Sequence, residues 1–107
     1  MKIGFLDIRI QRLFNDHARL EGHYGSDVAD KIASRMALLS VSANLAKLPT
    51  RPPIHFRPVE GTPGLFTVDV GAAHRLQFLS VDDKPAHRRA SDLGTIEEIH
   101  VIGIEDV

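Results

Sequence analysis

Two short runs flanking Gly71 constrain this chain more than any other feature. They are Leu65-Phe66-Thr67-Val68-Asp69-Val70 and His74-Arg75-Leu76-Gln77-Phe78-Leu79, joined by Gly71-Ala72-Ala73. Both alternate apolar and polar residues, the period of a strand with one face buried. Phe66, Val68 and Val70 share a face, as do Leu76 and Phe78. Thr67 and Asp69 fall on the opposite side, with Arg75 and Gln77. Gly71 is free to take the positive φ of a tight hairpin link. A pair of such strands needs another layer over its apolar side, and it leaves a polar side that carries an arginine.

The covering layer is read upstream. Lys2 to Leu6 is short and apolar, a first strand. Ile10, Leu13, Phe14, His17, Leu20 and Tyr24 then recur at spacings of three and four, which predicts one helix with His17 in its apolar stripe. Arg12 and Asp16 are four apart and are expected to pair. Gly25 is a stop, and Ser26 is an N-cap with Asp27 in the first turn. Ala29, Ile32, Ala33, Met36, Leu39, Ser40 and Ala43 form the stripe of a second helix. Its outer face is assigned Asp30, Lys31, Ser34 and Arg35. This helix is expected to continue, kinked near Ser40-Val41-Ser42, to Leu48. So short a link makes the two helices an antiparallel hairpin.

Pro49, Pro52 and Pro53 end the helical region. Strands are expected over Ile54–Val59, Leu65–Val70, His74–Ser80 and Ile96–Ile104. A turn falls at Glu60-Gly61-Thr62-Pro63-Gly64, and a long polar loop over Val81–Gly94. The order β-α-α-β-β-β(β) reads as a single α+β domain over 1–107, a small, mostly antiparallel sheet packed on a helical hairpin.

Bulk properties exclude several classes. At 107 residues the chain supports one core. It has no cysteine, which removes disulfides and thiolate metal sites. His23, His74, His87 and His100 lack zinc-ligand spacing, so no metal and no cofactor is expected. No apolar run approaches a membrane span and the start lacks a signal-peptide pattern; the expectation is a cytoplasmic protein without membrane contact. A formal net charge of −1 argues against a strongly basic nucleic-acid binder but allows local basic patches. Arginines gather at Arg9, Arg12 and Arg19, at Arg51 and Arg57, and at Arg88 and Arg89. No P-loop, dinucleotide fingerprint or nucleophile elbow is present.

Carried through every strand, the alternation places His55, Arg57, Asp69, Arg75, Gln77, Glu98 and His100 on one open face. The last strand has two competing phases, because Ile99 and Val101 favour one and Ile102 and Ile104 the other. Two readings of the face stand side by side. In one it is solvated, with its charges paired across strands. In the other it binds an anion such as a nucleic-acid phosphate, with Arg75 and Arg57 as clamps and His55 or Glu60 moving a proton. Arg88 and Arg89, beside Lys84 and His87, are either a solvated loop or a further contact to RNA phosphates.

The chain resembles the RelE/ParE superfamily of toxins from type II toxin–antitoxin systems, most closely the HigB-like killer branch. The resemblance rests on Met1-Lys2-Ile3-Gly4-Phe5 with Arg9 and Arg12-Leu13, and on His23-Tyr24-Gly25 through Lys31, Arg35, Leu38 and Leu39 to Ala43-Asn44-Leu45. It is strongest over Arg57-Pro58-Val59-Glu60-Gly61, Gly64 to Val70, and His74-Arg75-Leu76-Gln77-Phe78. The family's fold is a small sheet cradling a helical hairpin. Many members cut messenger RNA in the ribosomal decoding site without a metal. On that pattern Arg75 is the phosphate-stabilising arginine. Arg57 stands where the branch usually has histidine, and Glu60 where it has lysine. Ile104-Glu105-Asp106-Val107 has no match to the family's Asp-Tyr-His type segment.

The resemblance thus implies an mRNA endonuclease. Only Arg75 is carried over directly; joined with the reading of the open face and the polar loop, Arg75, Arg57, Glu60 and His55 would be catalytic, with His100 an alternative acid, and Arg75, Gln77, Arg88 and Arg89 would bind RNA. Implied partners are the ribosome with its mRNA and a helix-turn-helix antitoxin, through which alone the protein would meet operator DNA. A degenerate toxin fold that only binds a protein partner, and a ParE-like gyrase inhibitor, are the alternatives.

Overall fold

The computed structural model describes residues 1–81 and 90–107, the side chains of 90–92 excepted. Strand β1 (Lys2–Phe5) leads into helices α1 (Ile8–Phe14), α2 (His17–Tyr24) and α3 (Ser26–Val41). A 3₁₀ turn at Leu45–Lys47 follows, then β2 (Arg57–Pro58), β3 (Leu65–Val70), β4 (His74–Ser80), a 3₁₀ segment at Ala90–Thr95 and β5 (Glu98–Asp106). The fold is α+β: the described residues form three helices and a five-stranded, mostly antiparallel sheet ordered β1-β5-β4-β3-β2. β1 is the parallel member, pairing Ile3 with Ile99 and Phe5 with Val101.

The expected first helix is two helices. Asp16 interrupts the stripe, because its carboxylate accepts from the Arg19 backbone N–H and starts α2 afresh. Asp7 caps α1 in the same way, accepting from the N–H groups of Arg9 and Ile10. The Ile10 bond in particular holds the Asp7 carboxyl below the usual aspartate value. The break rotates His17 out of the stripe into solvent and pairs Asp16 with Arg19 at 3.3 Å rather than with Arg12. Gly25 does end α2, at φ 85°, and also serves as the N-cap of α3, so Ser26 is the first helical residue instead of the cap. α3 stops at Val41, short of the expected Leu48. The Ser42 backbone N–H bonds the Leu38 carbonyl, and Asn44 then caps the 3₁₀ turn through the Ala46 N–H.

The core lies between the helices and one face of the sheet. Ala29, Ile32 and Leu39 of α3 join Val68, Val70, Leu76, Phe78, Ile99 and Val101 in it. Full burial contributes roughly 1.5–3 kcal/mol for each large apolar side chain. Phe56, Phe66 and Phe78 stack at one end, with ring centroids 5.4–6.2 Å apart.

The two phases of β5 are both real. Ile99 and Val101 face the core, and a register shift opposite Gln77 and Phe78 sets Ile102 apart as an extra residue, so that Ile104 then packs against the core. Gly103, at φ 148°, accommodates the bulge. The consequence is functional: Glu105, rather than its neighbours, ends up beside Arg75 on the polar face.

At one corner Tyr24 meets the His74 ring edge-on at 5.6 Å, and His74 Nε2 lies 3.3 Å from Asp106. Burial, followed by the Asp106 charge, raises the Tyr24 pKa above the ordinary phenol value. The unfolded chain therefore ionises Tyr24 first. The associated stability is complete below about pH 10 and is lost as pH rises through the folded value. Urea melts between about pH 9 and 11 should show this decline, and Tyr24→Phe should flatten it.

Candidate functional site

Register explains how the polar face is assembled. β3 and β4 pair Asp69 with Arg75 and Thr67 with Gln77, while β2 pairs Arg57 with Thr67. Two more residues along β2 would set His55 opposite Asp69, but the ladder breaks before it. His55 takes φ 47°, and its N–H turns back to the Arg51 carbonyl at 2.9 Å. The expected strand Ile54–Val59 thus shrinks to Arg57–Pro58, because the His55 and Phe56 N–H groups bond the Arg51 and Pro49 carbonyls instead of β3.

The broken ladder leaves the edge groups of Asp69 to other partners. Its N–H donates to the Ile54 carbonyl at 2.7 Å. Its carbonyl accepts from Arg35 Nε, also at 2.7 Å, and Arg35 Nη2 reaches the Pro53 carbonyl at 3.5 Å. Arg35 is 8% exposed and comes from α3, on the core side of the sheet. The assignment of Arg35 to an outer helix face is therefore corrected. Its spacing carried the signal: Arg35 lies three after Ile32 and four before Leu39, on the buried stripe.

On the open face the Asp69 carboxylate is the hub. Arg57 Nη2 lies 3.2 Å and Arg75 Nε 3.7 Å from Oδ1, and His55 Nδ1 lies 3.5 Å from Oδ2. Arg57 is held a second time, donating from Nη1 to the His55 carbonyl at 3.1 Å. The side chains are partly shielded, at 25% exposure for Asp69, 27% for Arg57 and 35% for Arg75. Two guanidinium groups stand against the Asp69 carboxylate, leaving one positive charge over at the hub itself, while Glu105 lies opposite Arg75 in the β4–β5 ladder and accepts from Gln77. Partial shielding raises the effective strength of that field over bulk water. The arrangement can hold an anion with two or more acceptor oxygens, the geometry of a phosphate.

His55, Arg57 and Arg75 are thus brought together with Asp69. Gln77 is one row away and donates to Glu105 at 3.2 Å. The other candidates lie apart. Glu60 is exposed in the turn before β3, at the Leu65 end, roughly 13 Å along the strand from Asp69. Among the described residues it makes no ion pair. His100 is opposite Leu79, a similar distance from Arg75 along β4, and lies 3.7 Å from Glu98. Its ring lies over Gly4, where an added Cβ would come within 2.6 Å of it. Arg88 and Arg89 lie outside the described residues. No helix among the described residues is long and apolar enough to cross a membrane.

No protein-family model matches the chain, and no curated protein matches it.

Proposed function

We propose that the protein is the toxin of a type II toxin–antitoxin system, with a RelE-like topology, and that it cuts messenger RNA on the ribosome. The observation that carries this reading is the convergence of Arg57, Arg75 and His55 within 3.7 Å of one carboxylate on the open sheet face. RNA cleavage of this type needs no covalent enzyme intermediate. The ribose 2′-hydroxyl gives up its proton as its oxygen attacks the adjacent phosphorus, the bond from phosphorus to the 5′-oxygen breaks, that oxygen takes up a proton, and a 2′,3′-cyclic phosphate and a 5′-hydroxyl result. Arg75 and Arg57 stabilise the charge gathering on the phosphoryl oxygens. His55 is the proton-transfer group adjoining them. Glu60, exposed in the turn at the far end of β3, stands outside this cluster and is given no part in the step. The partners of this reading are the ribosome with its mRNA and a helix-turn-helix antitoxin, in the cytoplasm.

Purified protein added to a translating extract is expected to cut mRNA at discrete sites, read by primer extension, and to leave the same RNA intact without ribosomes. Intact mRNA in both arms sinks the nuclease reading. It would leave the second reading, a protein-binding module of toxin ancestry, which is favoured by one observation: Asp69 already occupies both arginines.

That occupancy supplies a direct prediction. RNA phosphate and Asp69 compete for the same guanidinium groups. Asp69→Asn is expected to tighten binding of a short single-stranded RNA by roughly 5–10-fold at low salt. Fluorescence anisotropy with a labelled oligonucleotide reads this. Unchanged or weaker binding would mark Asp69 as a structural clamp outside the phosphate path.

A further inference from the structure

A second cluster lies on the helical hairpin and involves none of the residues above. His17 opens α2, Glu21 follows one turn later on the same helix, and Asp30 stands opposite in the second turn of α3. His17 Nε2 lies 3.1 Å from Glu21 Oε1 and 3.1 Å from Asp30 Oδ1. All three donor atoms fall within 4.8 Å of one another. At metal–ligand bonds of about 2.0–2.2 Å, two ligands of one ion stand about 3.0 Å apart at a right angle and about 3.4 Å apart at the tetrahedral angle. Both histidine–carboxylate separations lie in that interval.

Charge makes the same case. Among the described residues, neither Glu21 nor Asp30 has a lysine or arginine partner, and each carboxylate is turned toward the same imidazole nitrogen. Arg19, one helical position away from Leu20, is committed to Asp16. Among the described residues, two carboxylates thus converge on one imidazole nitrogen without a lysine or arginine ion pair.

We propose that His17, Glu21 and Asp30 bind a divalent cation of the zinc class, which staples α2 to α3. One imidazole nitrogen and two carboxylate oxygens suit Zn²⁺ or Co²⁺, while Mg²⁺ and Ca²⁺ favour all-oxygen shells. Three protein ligands leave a coordination position for water. The role is structural, because the site joins two helices on the side of the sheet opposite the arginine cluster. It is independent of the nuclease reading.

The test is titration of the whole chain with Zn²⁺ and with Co²⁺, followed calorimetrically and, for Co²⁺, by its visible absorption. One equivalent is expected to bind and to raise the melting temperature, with millimolar Mg²⁺ unable to displace it. His17→Ala, at an exposed position, is expected to keep the metal-free melting temperature, to weaken binding at least ~10-fold and to abolish the metal-induced rise. His23→Ala is expected to retain full binding. Absence of stoichiometric binding, displacement by Mg²⁺, or affinity unchanged in His17→Ala overturns the proposal.

Discussion

Arg75→Ala is expected to lower mRNA cleavage on translating ribosomes by roughly 10²–10³-fold, the loss typical when one preorganised charge donor is removed from a developing oxyanion. Overproduction of the wild-type chain should halt growth, and the variant should restore it. Folding should change little. Arg75 is one-third exposed and stands 3.7 Å from Asp69, a contact in the range where ion pairs contribute under about 1 kcal/mol. Melting temperature and activity should therefore separate cleanly. Arg75→Lys should recover only part of the rate, since an ammonium keeps the charge but loses the planar fork that meets two phosphate oxygens. Full activity in Arg75→Ala, or growth unaffected by abundant wild-type protein, would count decisively against the nuclease reading.

The largest expected effect on stability is at Arg35. Arg35→Met keeps most of the side-chain volume but removes the donor to the Asp69 carbonyl and to Pro53. A buried carbonyl left without its partner costs about 1–3 kcal/mol, and losing the tie between α3 and the segment before β2 brings the total to roughly 2–4 kcal/mol. For a domain of this size that lowers the melting temperature by roughly 10 °C or more. The His55 resonances should shift with it, because the Arg51–His55 segment loses its anchor on α3. An unchanged melting curve would show that water replaces the guanidinium there at no cost.

Arg35 also shows where residue type misleads and periodicity does not. Its position three residues after Ile32 and four before Leu39 satisfies the buried stripe, but its charge argues for solvent. The outcome depends on a feature of another element: the β2 ladder breaks at His55, and an unpaired carbonyl on Asp69 awaits a donor inside the protein. His17 is the opposite case. Its spacing matches the stripe of a single helix from Ile10 to Tyr24, but Asp16 competes for backbone N–H groups and restarts the helix, which turns His17 outward. In each, a specific hydrogen-bond demand decides the outcome, between elements for Arg35 and between chain neighbours for His17.

The site residues divide in the same way. Arg57, Asp69 and Arg75 share a face because strand alternation has an invariant period of two, and that much is legible by counting. Which members of the face touch is a matter of register. Pairing Asp69 with Arg75 gathers His55 and Arg57 around one carboxylate, while it leaves Glu60 and His100 at the other end of the strands.

Local chemistry written in the chain determined the α+β order, the hairpin turning at Gly71, the helix stop at Gly25, and the polar face with its arginines. These depend on neighbours within a few residues, through steric limits, periodicity and capping. Only the tertiary structure decided that β1 returns to pair with β5 in parallel, that a bulge at Ile102 reconciles the two phases of β5, that Arg35 turns inward, and that Asp69 is the hub. Each of these depends on a hydrogen-bond partner or packing surface that is distant in sequence and exists only once the sheet has closed.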